Sequence, residues 1–178
     1  PFAPARAGSA LGRAVCTRGP GVLGCAPPEP SLDHLDPFSL VPQPLPAALL
    51  LRGFTALTDV QQAVLAADAA DRDLRISSQT GSGKTVALGF LLARDLLQAA
   101  PNAGPRGLVI TPTRELANQV GEELAWLLRG VPRGDVAVVT GGTSVGRERA
   151  RLARIPGLVV GTPGRLLDHL RSGALSGG

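Results

Sequence analysis

The chain has 178 residues, 44% of them hydrophobic and 18% charged, with a formal net charge of +4. That length suits one α/β domain with a buried core and is too short for two. No apolar run approaches the ~20 residues of a membrane span, and no apolar stretch of the signal-peptide kind follows the N-terminus, so a cytoplasmic protein is expected. The sequence pI near 10.4 points to a polyanion as partner. Of the 18 basic residues, 17 are arginine, and the one lysine, Lys84, lies inside Gly-Ser-Gly-Lys-Thr. A composition that uses arginine almost everywhere has kept lysine at this single place.

Residues 1–36 are rich in Pro, Gly, Ala and Arg without sustained periodicity, and are expected to form a disordered leader. Cys16 and Cys25 lie there with no CxxC or His-rich spacing around them, which supports neither a disulfide framework nor a zinc site. His34 and His169 belong to no nucleophile or ligand pattern and read as surface or capping histidines. From residue 37 to 178 the pattern is that of a folded domain. Helices are predicted over Ala47–Leu51 and Thr58–Ala70, then a short strand over Leu74–Ser77 and a helix over Gly83–Gln98. After a loop at Pro101–Pro105, a strand at Leu108–Ile110 leads into a helix at Thr113–Leu128. A strand at Val136–Val139, a helix at Ser144–Ala153, a strand at Leu158–Val160 and a helix at Gly164–Leu170 follow. Short apolar strands alternating with helices imply a parallel sheet covered on both faces, with ligands gathered at the carboxyl ends of the strands.

The segment Ser78-Gln79-Thr80-Gly81-Ser82-Gly83-Lys84-Thr85 stands between a predicted strand and a predicted helix. Glycines let backbone N–H groups turn inward around a phosphate, and the helix N-terminus adds partial positive charge. Lys84 can reach β- and γ-phosphates, and the Thr85 hydroxyl can hold Mg²⁺. The first position of the G-x-x-x-x-G-K-[ST] pattern is Ser78 instead of glycine.

Two further junctions echo each other. Leu108-Val109-Ile110-Thr111-Pro112-Thr113-Arg114 and Leu158-Val159-Val160-Gly161-Thr162-Pro163-Gly164-Arg165 are each an apolar strand ending in Thr-Pro-x-Arg before a helix. Thr near the cap and Pro in the first turn start a helix sharply, leaving N–H groups, a hydroxyl and an arginine for an anion. Gly141-Gly142 ends a third strand, where missing side chains permit close approach of a ligand. Together the three would suit successive phosphates of a nucleic-acid strand. Arg147, Arg149, Arg151 and Arg154, with Glu148 among them, occupy one helical stretch at mixed spacings and read as a solvated face.

In this order the motifs resemble those of DEAD-box helicases of superfamily 2. Residues 78–85 resemble motif I, Pro112-Thr113-Arg114-Glu115-Leu116-Ala117-Asn118-Gln119 motif Ia, Gly141-Gly142 the glycine doublet, and Thr162-Pro163-Gly164-Arg165 motif Ib. Gly53 to Gln61 resembles the adenine-reading Q motif, with Leu57-Thr58-Asp59-Val60-Gln61 where the family usually has Pro-Thr-Pro-Ile-Gln. The resemblance implies a RecA-like P-loop domain of α/β class that binds ATP, Mg²⁺ and RNA. It implies adenine contact by Gln61, with Phe38 as an upstream aromatic, and RNA contact by residues 112–115, 141–142 and 162–165. Thr58-x-x-Gln61 is also a capping box that a helix would use in any case.

In the family the domain continues to Asp-Glu-Ala-Asp, which orders Mg²⁺ and the attacking water, and joins a second similar domain that supplies an arginine finger. Neither lies in these 178 residues. Allowing a helix, a loop and a strand after Arg165, that acidic motif would stand ~20–30 residues on. The sequence therefore reads as the first domain of an RNA helicase cut short at its C-terminus, inactive alone. The alternatives are a nucleotide- or RNA-binding module without catalysis, and a DNA translocase of the same superfamily.

Overall fold

Three apolar stretches of four residues build the sheet: β1 (Gly107–Ile110), β2 (Val136–Val139) and β3 (Leu158–Gly161). They pair in parallel in the order β1-β3-β2. The computed structural model describes residues 36–67, 73–98 and 104–176. Around the sheet stand α1 (Leu45–Leu51), α2 (Asp59–Ala66), α3 (Lys84–Leu97), α4 (Arg114–Leu127), α5 (Val145–Leu152) and α6 (Pro163–Arg171).

The pleat divides the strand side chains between two cores. Leu158 and Val160 face Phe90 and Leu96 of α3, Leu124 and Leu127 of α4, and Leu45 and Leu49 of α1. Val159, with Ala137 and Val139 of β2, faces Leu152 of α5 and Leu166 of α6. β3 is buried along its whole length, as a central parallel strand covered on both faces must be. Removing a ring such as Phe90, fully buried, would cost about 3–5 kcal/mol.

Register decides where the chemistry lies. Ile110 and Val139 both stand beside Gly161, so the three strands end in one row. Thr111, Thr140 and Thr162 therefore leave the sheet along a single edge. The Thr111 N–H donates to the Gly161 carbonyl at 2.9 Å, which carries the row one residue further.

The structure departs from the sequence reading at Leu74–Ser77, which forms no strand among the described residues. A strand exists only through the ladder of a neighbour. Among the described residues nothing pairs with this segment, and Leu74 is 42% exposed. Helix α2 also stops at Ala66, because Ala67 turns extended at φ −71°, ψ 131°. The predicted leader up to residue 35, with Cys16, Cys25 and His34, lies outside the described residues. No described helix is long and apolar enough to cross a membrane.

Candidate functional site

The glycine-rich loop at 78–85 leads directly into α3. Gly83 is the N-cap at φ +86°, a left-handed conformation that glycine adopts without strain. A Cβ there would overlap Gln61 Nε2. The Lys84 ammonium donates to the carbonyls of Ser78 and Gln79 at 2.7 and 2.6 Å, two of its three donors. Ser78, where the pattern has glycine, contributes a hydroxyl that meets the Ser82 hydroxyl at 2.6 Å and ties the loop across its mouth. Thr85 follows Lys84 in the first turn of α3.

Beneath the loop lies Gln61, fully buried. Its Oε1 accepts from the Thr58 N–H at 3.0 Å, the reciprocal half of a capping box. Its Nε2 donates to the Gly83 carbonyl at 3.4 Å. The Thr58 hydroxyl adds a second tie, to the Ser82 carbonyl at 2.8 Å. The segment resembling the Q motif is thus bolted to the phosphate loop. Phe38 is placed elsewhere: its ring is 1% exposed and belongs to the main core with Val41, Leu45 and Leu49.

At the carboxyl edge of the sheet, residues of the two Thr-Pro-x-Arg junctions and Gly141 of the glycine doublet line one cleft of about 660 Å³. Of the ten residues the sequence nominated there, Gly142 and Pro163 alone do not line it, and Asp168 is an addition. The Thr113 hydroxyl caps α4 by accepting from the Leu116 N–H at 3.2 Å. Arg114 lays its guanidinium against the doublet: a Cβ on Gly141 would stand 2.9 Å from Nη2, and one on Gly142 2.6 Å from Nη1.

Arg165 is held differently. Its Nε lies 3.2 Å from Glu148 Oε2 and 3.4 Å from the Thr140 carbonyl, and its Nη2 donates to the Thr143 carbonyl at 3.3 Å. Glu148 is 2% exposed and also accepts from the Thr140 N–H at 3.0 Å and from the Thr143 hydroxyl. Burial pushes the Glu148 carboxyl up. The hydrogen bonds from Thr143, His169 and Thr140, with the charge of Arg165, outweigh it and hold the group below its ordinary value.

His169 corrects the sequence reading. It is neither a surface nor a capping residue but 1% exposed, with Nε2 2.7 Å from Glu148 Oε2. Its position on the inner face of α6, three residues after the buried Leu166, is the reason. The arginines of α5 are exposed as expected, whereas Glu148 points inward beside Leu152, four residues on. That helical spacing was the signal available for finding it.

Known proteins similar to this chain in sequence and fold are helicases. The DEAD/DEAH box helicase family profile matches residues 58–177. The chain is 43% identical over 124 residues to the ATP-dependent RNA helicase DbpA of Escherichia coli (strain K12), covering 70% of this chain and 27% of that protein. It is similar in structure to a hypothetical ATP-dependent RNA helicase from Sulfolobus tokodaii, with a TM-score of 0.62 at 32% identity over 74% of this chain and 37% of that one. It is also similar to the DEAD-box helicase Mss116 bound to ssRNA and UDP-BeF, with a TM-score of 0.65 at 26% identity over 75% and 28% of the two chains. The chain spans about a quarter of the length of the curated relatives it matches. With the profile match covering residues 58–177, well over half of its length, the chain belongs to the DEAD/DEAH box helicase family.

Proposed function

We propose that this chain is the ATP- and RNA-binding part of a cytoplasmic ATP-dependent RNA helicase, its second RecA-like domain supplied in cis. The observation that carries this reading is the shared row of strand ends, with Arg114, Gly141 and Arg165 around one cleft. Phosphates of a single strand would lie there, met by backbone N–H groups, hydroxyls and arginine without any reading of bases.

The loop at 78–85 fits a nucleotide by its own chemistry. Gly81 and Gly83 both have positive φ, the α3 N-terminus follows at once, and the ammonium of Lys84 is already turned inward on the loop carbonyls. On this reading Lys84 exchanges those carbonyls for β- and γ-phosphate oxygens, Thr85 holds Mg²⁺ through its hydroxyl, and Gln61 meets the adenine edge. The metal, when bound, neutralises charge developing on the transferred phosphoryl group. Hydrolysis further needs an acidic metal partner, a positioned water and an arginine finger. For those the reading looks to the longer protein.

The test is competition binding on the full-length protein with a non-hydrolysable ATP analogue. Single-stranded RNA should displace a labelled RNA strand better than DNA of equal length, and ATP should displace the analogue better than GTP. Equal competition by DNA would favour a translocase on DNA. Failure to bind either nucleic acid would remove the cleft's proposed role.

A further inference from the structure

We infer that Glu148 is the positioning residue of this cleft: its buried carboxylate holds Arg165 and the 140–143 turn in place, leaving Arg114 as the arginine that meets a phosphate. The inference rests on the reading of the cleft as an RNA-phosphate surface. Four donors from two parts of the chain converge on this one side chain of α5. They are the Thr140 N–H and the Thr143 hydroxyl from the turn after β2, and Arg165 Nε and His169 Nε2 from α6. An ionised carboxylate only accepts, so His169 must carry its proton on Nε2. At 2% exposure water does not replace these partners, and a buried anion without its cation would be strongly unfavourable.

The two cleft arginines therefore differ in kind. Nε and Nη2 of Arg165 are committed to Glu148 and to the carbonyls of Thr140 and Thr143. Arg114 makes no hydrogen bond or ion pair among the described residues, and its guanidinium rests on the glycine doublet. The turn on which Arg114 rests is the turn that Glu148 and Arg165 also hold.

Glu148→Gln separates the partners. The amide keeps one acceptor for the Thr140 N–H but sets an NH₂ against Arg165 Nε–H, and arginine has no acceptor to offer. His169 can move its proton to Nδ1 and accept, so the exchange strands Arg165 in particular. A flipped amide would set its NH₂ against the Thr140 N–H instead.

RNA affinity of the full-length protein, measured with a single-stranded oligouridylate and a non-hydrolysable ATP analogue, tests this. Glu148→Gln should weaken RNA binding about tenfold, the scale of one disrupted charge-assisted hydrogen bond, with analogue binding unchanged. In an Arg165→Ala background it should cost nothing further, since the two act as one unit. Arg165→Lys keeps the charge without the fork and should bind like Arg165→Ala, a test that stands even if Glu148→Gln fails to fold. Parent-like binding by Arg165→Lys, parent-like binding by Glu148→Gln, or simply additive losses would overturn the role given to Glu148. If Arg114→Ala alone binds RNA as the parent does, the RNA reading of the cleft falls, and this inference with it. Weakened binding by Arg114→Ala beside a parent-like Glu148→Gln sinks the inference and spares the reading.

Discussion

Gln61 and Gly83 are joined under the phosphate loop: the buried Gln61 amide donates to the Gly83 carbonyl at 3.4 Å, and only a residue without a Cβ leaves room for it. Helix α2 and the loop are therefore tied at two points. Gln61→Ala removes both this tie and the cap on Thr58, and should lower stability by ~0.5–2 kcal/mol. If the same amide reads adenine, preference for ATP over GTP should vanish too. Thermal melts and nucleotide competition on one mutant check the two effects, and a destabilised protein that still prefers ATP would leave Gln61 as a prop alone.

Lys84→Ala removes an ammonium whose partners are the Ser78 and Gln79 carbonyls and empties nothing from the core. Circular dichroism should be unchanged while affinity for an ATP analogue falls by about tenfold or more, as expected when a charge-assisted hydrogen bond is removed. Affinity equal to the parent's would end the assignment of this loop to phosphate.

Salt dependence distinguishes the cleft arginines. Arg114→Ala should flatten the logarithmic salt slope of single-stranded RNA binding by about 0.7, the change expected when one phosphate is no longer neutralised by the protein. Arg165→Ala should weaken binding while leaving that slope near the parent's, because its guanidinium is engaged within the protein. Equal flattening by both would make Arg165 a direct phosphate ligand.

The Glu148 carboxyl gives a pH signature. Its folded-state value lies below the ordinary one, so its contribution is complete above the unfolded carboxylate range and disappears as pH falls through the folded value. The stability gap between parent and Glu148→Gln should be widest near neutrality and narrow below about pH 4. Denaturant midpoints across that range measure it. A gap constant with pH would mean the group titrates alike folded and unfolded.

Much of the fold and the cleft is legible in the sequence because it is local. Val136–Val139 is a strand with the bounds its apolar run predicts, and Thr113 caps α4 as its hydroxyl and the following helix suggest. Motif order also implies that Thr162 to Arg165 meets Pro112 to Arg114, since parallel strands ending in one row leave them no other edge. Two things do not follow from local pattern. Leu74–Ser77 has strand composition, but a ladder is a property of two segments. Glu148 and His169 escape a sequence reading because single charged or titratable residues are usually exposed, and their pairing spans 21 residues between separate helices. Phe38 resembles an adenine-side aromatic, but its ring lies in the apolar core beside α1.

The flank of β1 opposite β3 bears on how the protein behaves in a tube. Only β3 pairs with this strand among the described residues, and Leu108 and Ile110 are 46% and 60% exposed. Such a flank is a template on which a second molecule can lay a strand of its own. Concentrated samples of the 178-residue chain should self-associate, with an apparent mass in sedimentation that rises with concentration. Ile110→Lys should suppress this by placing a charge where two copies would meet.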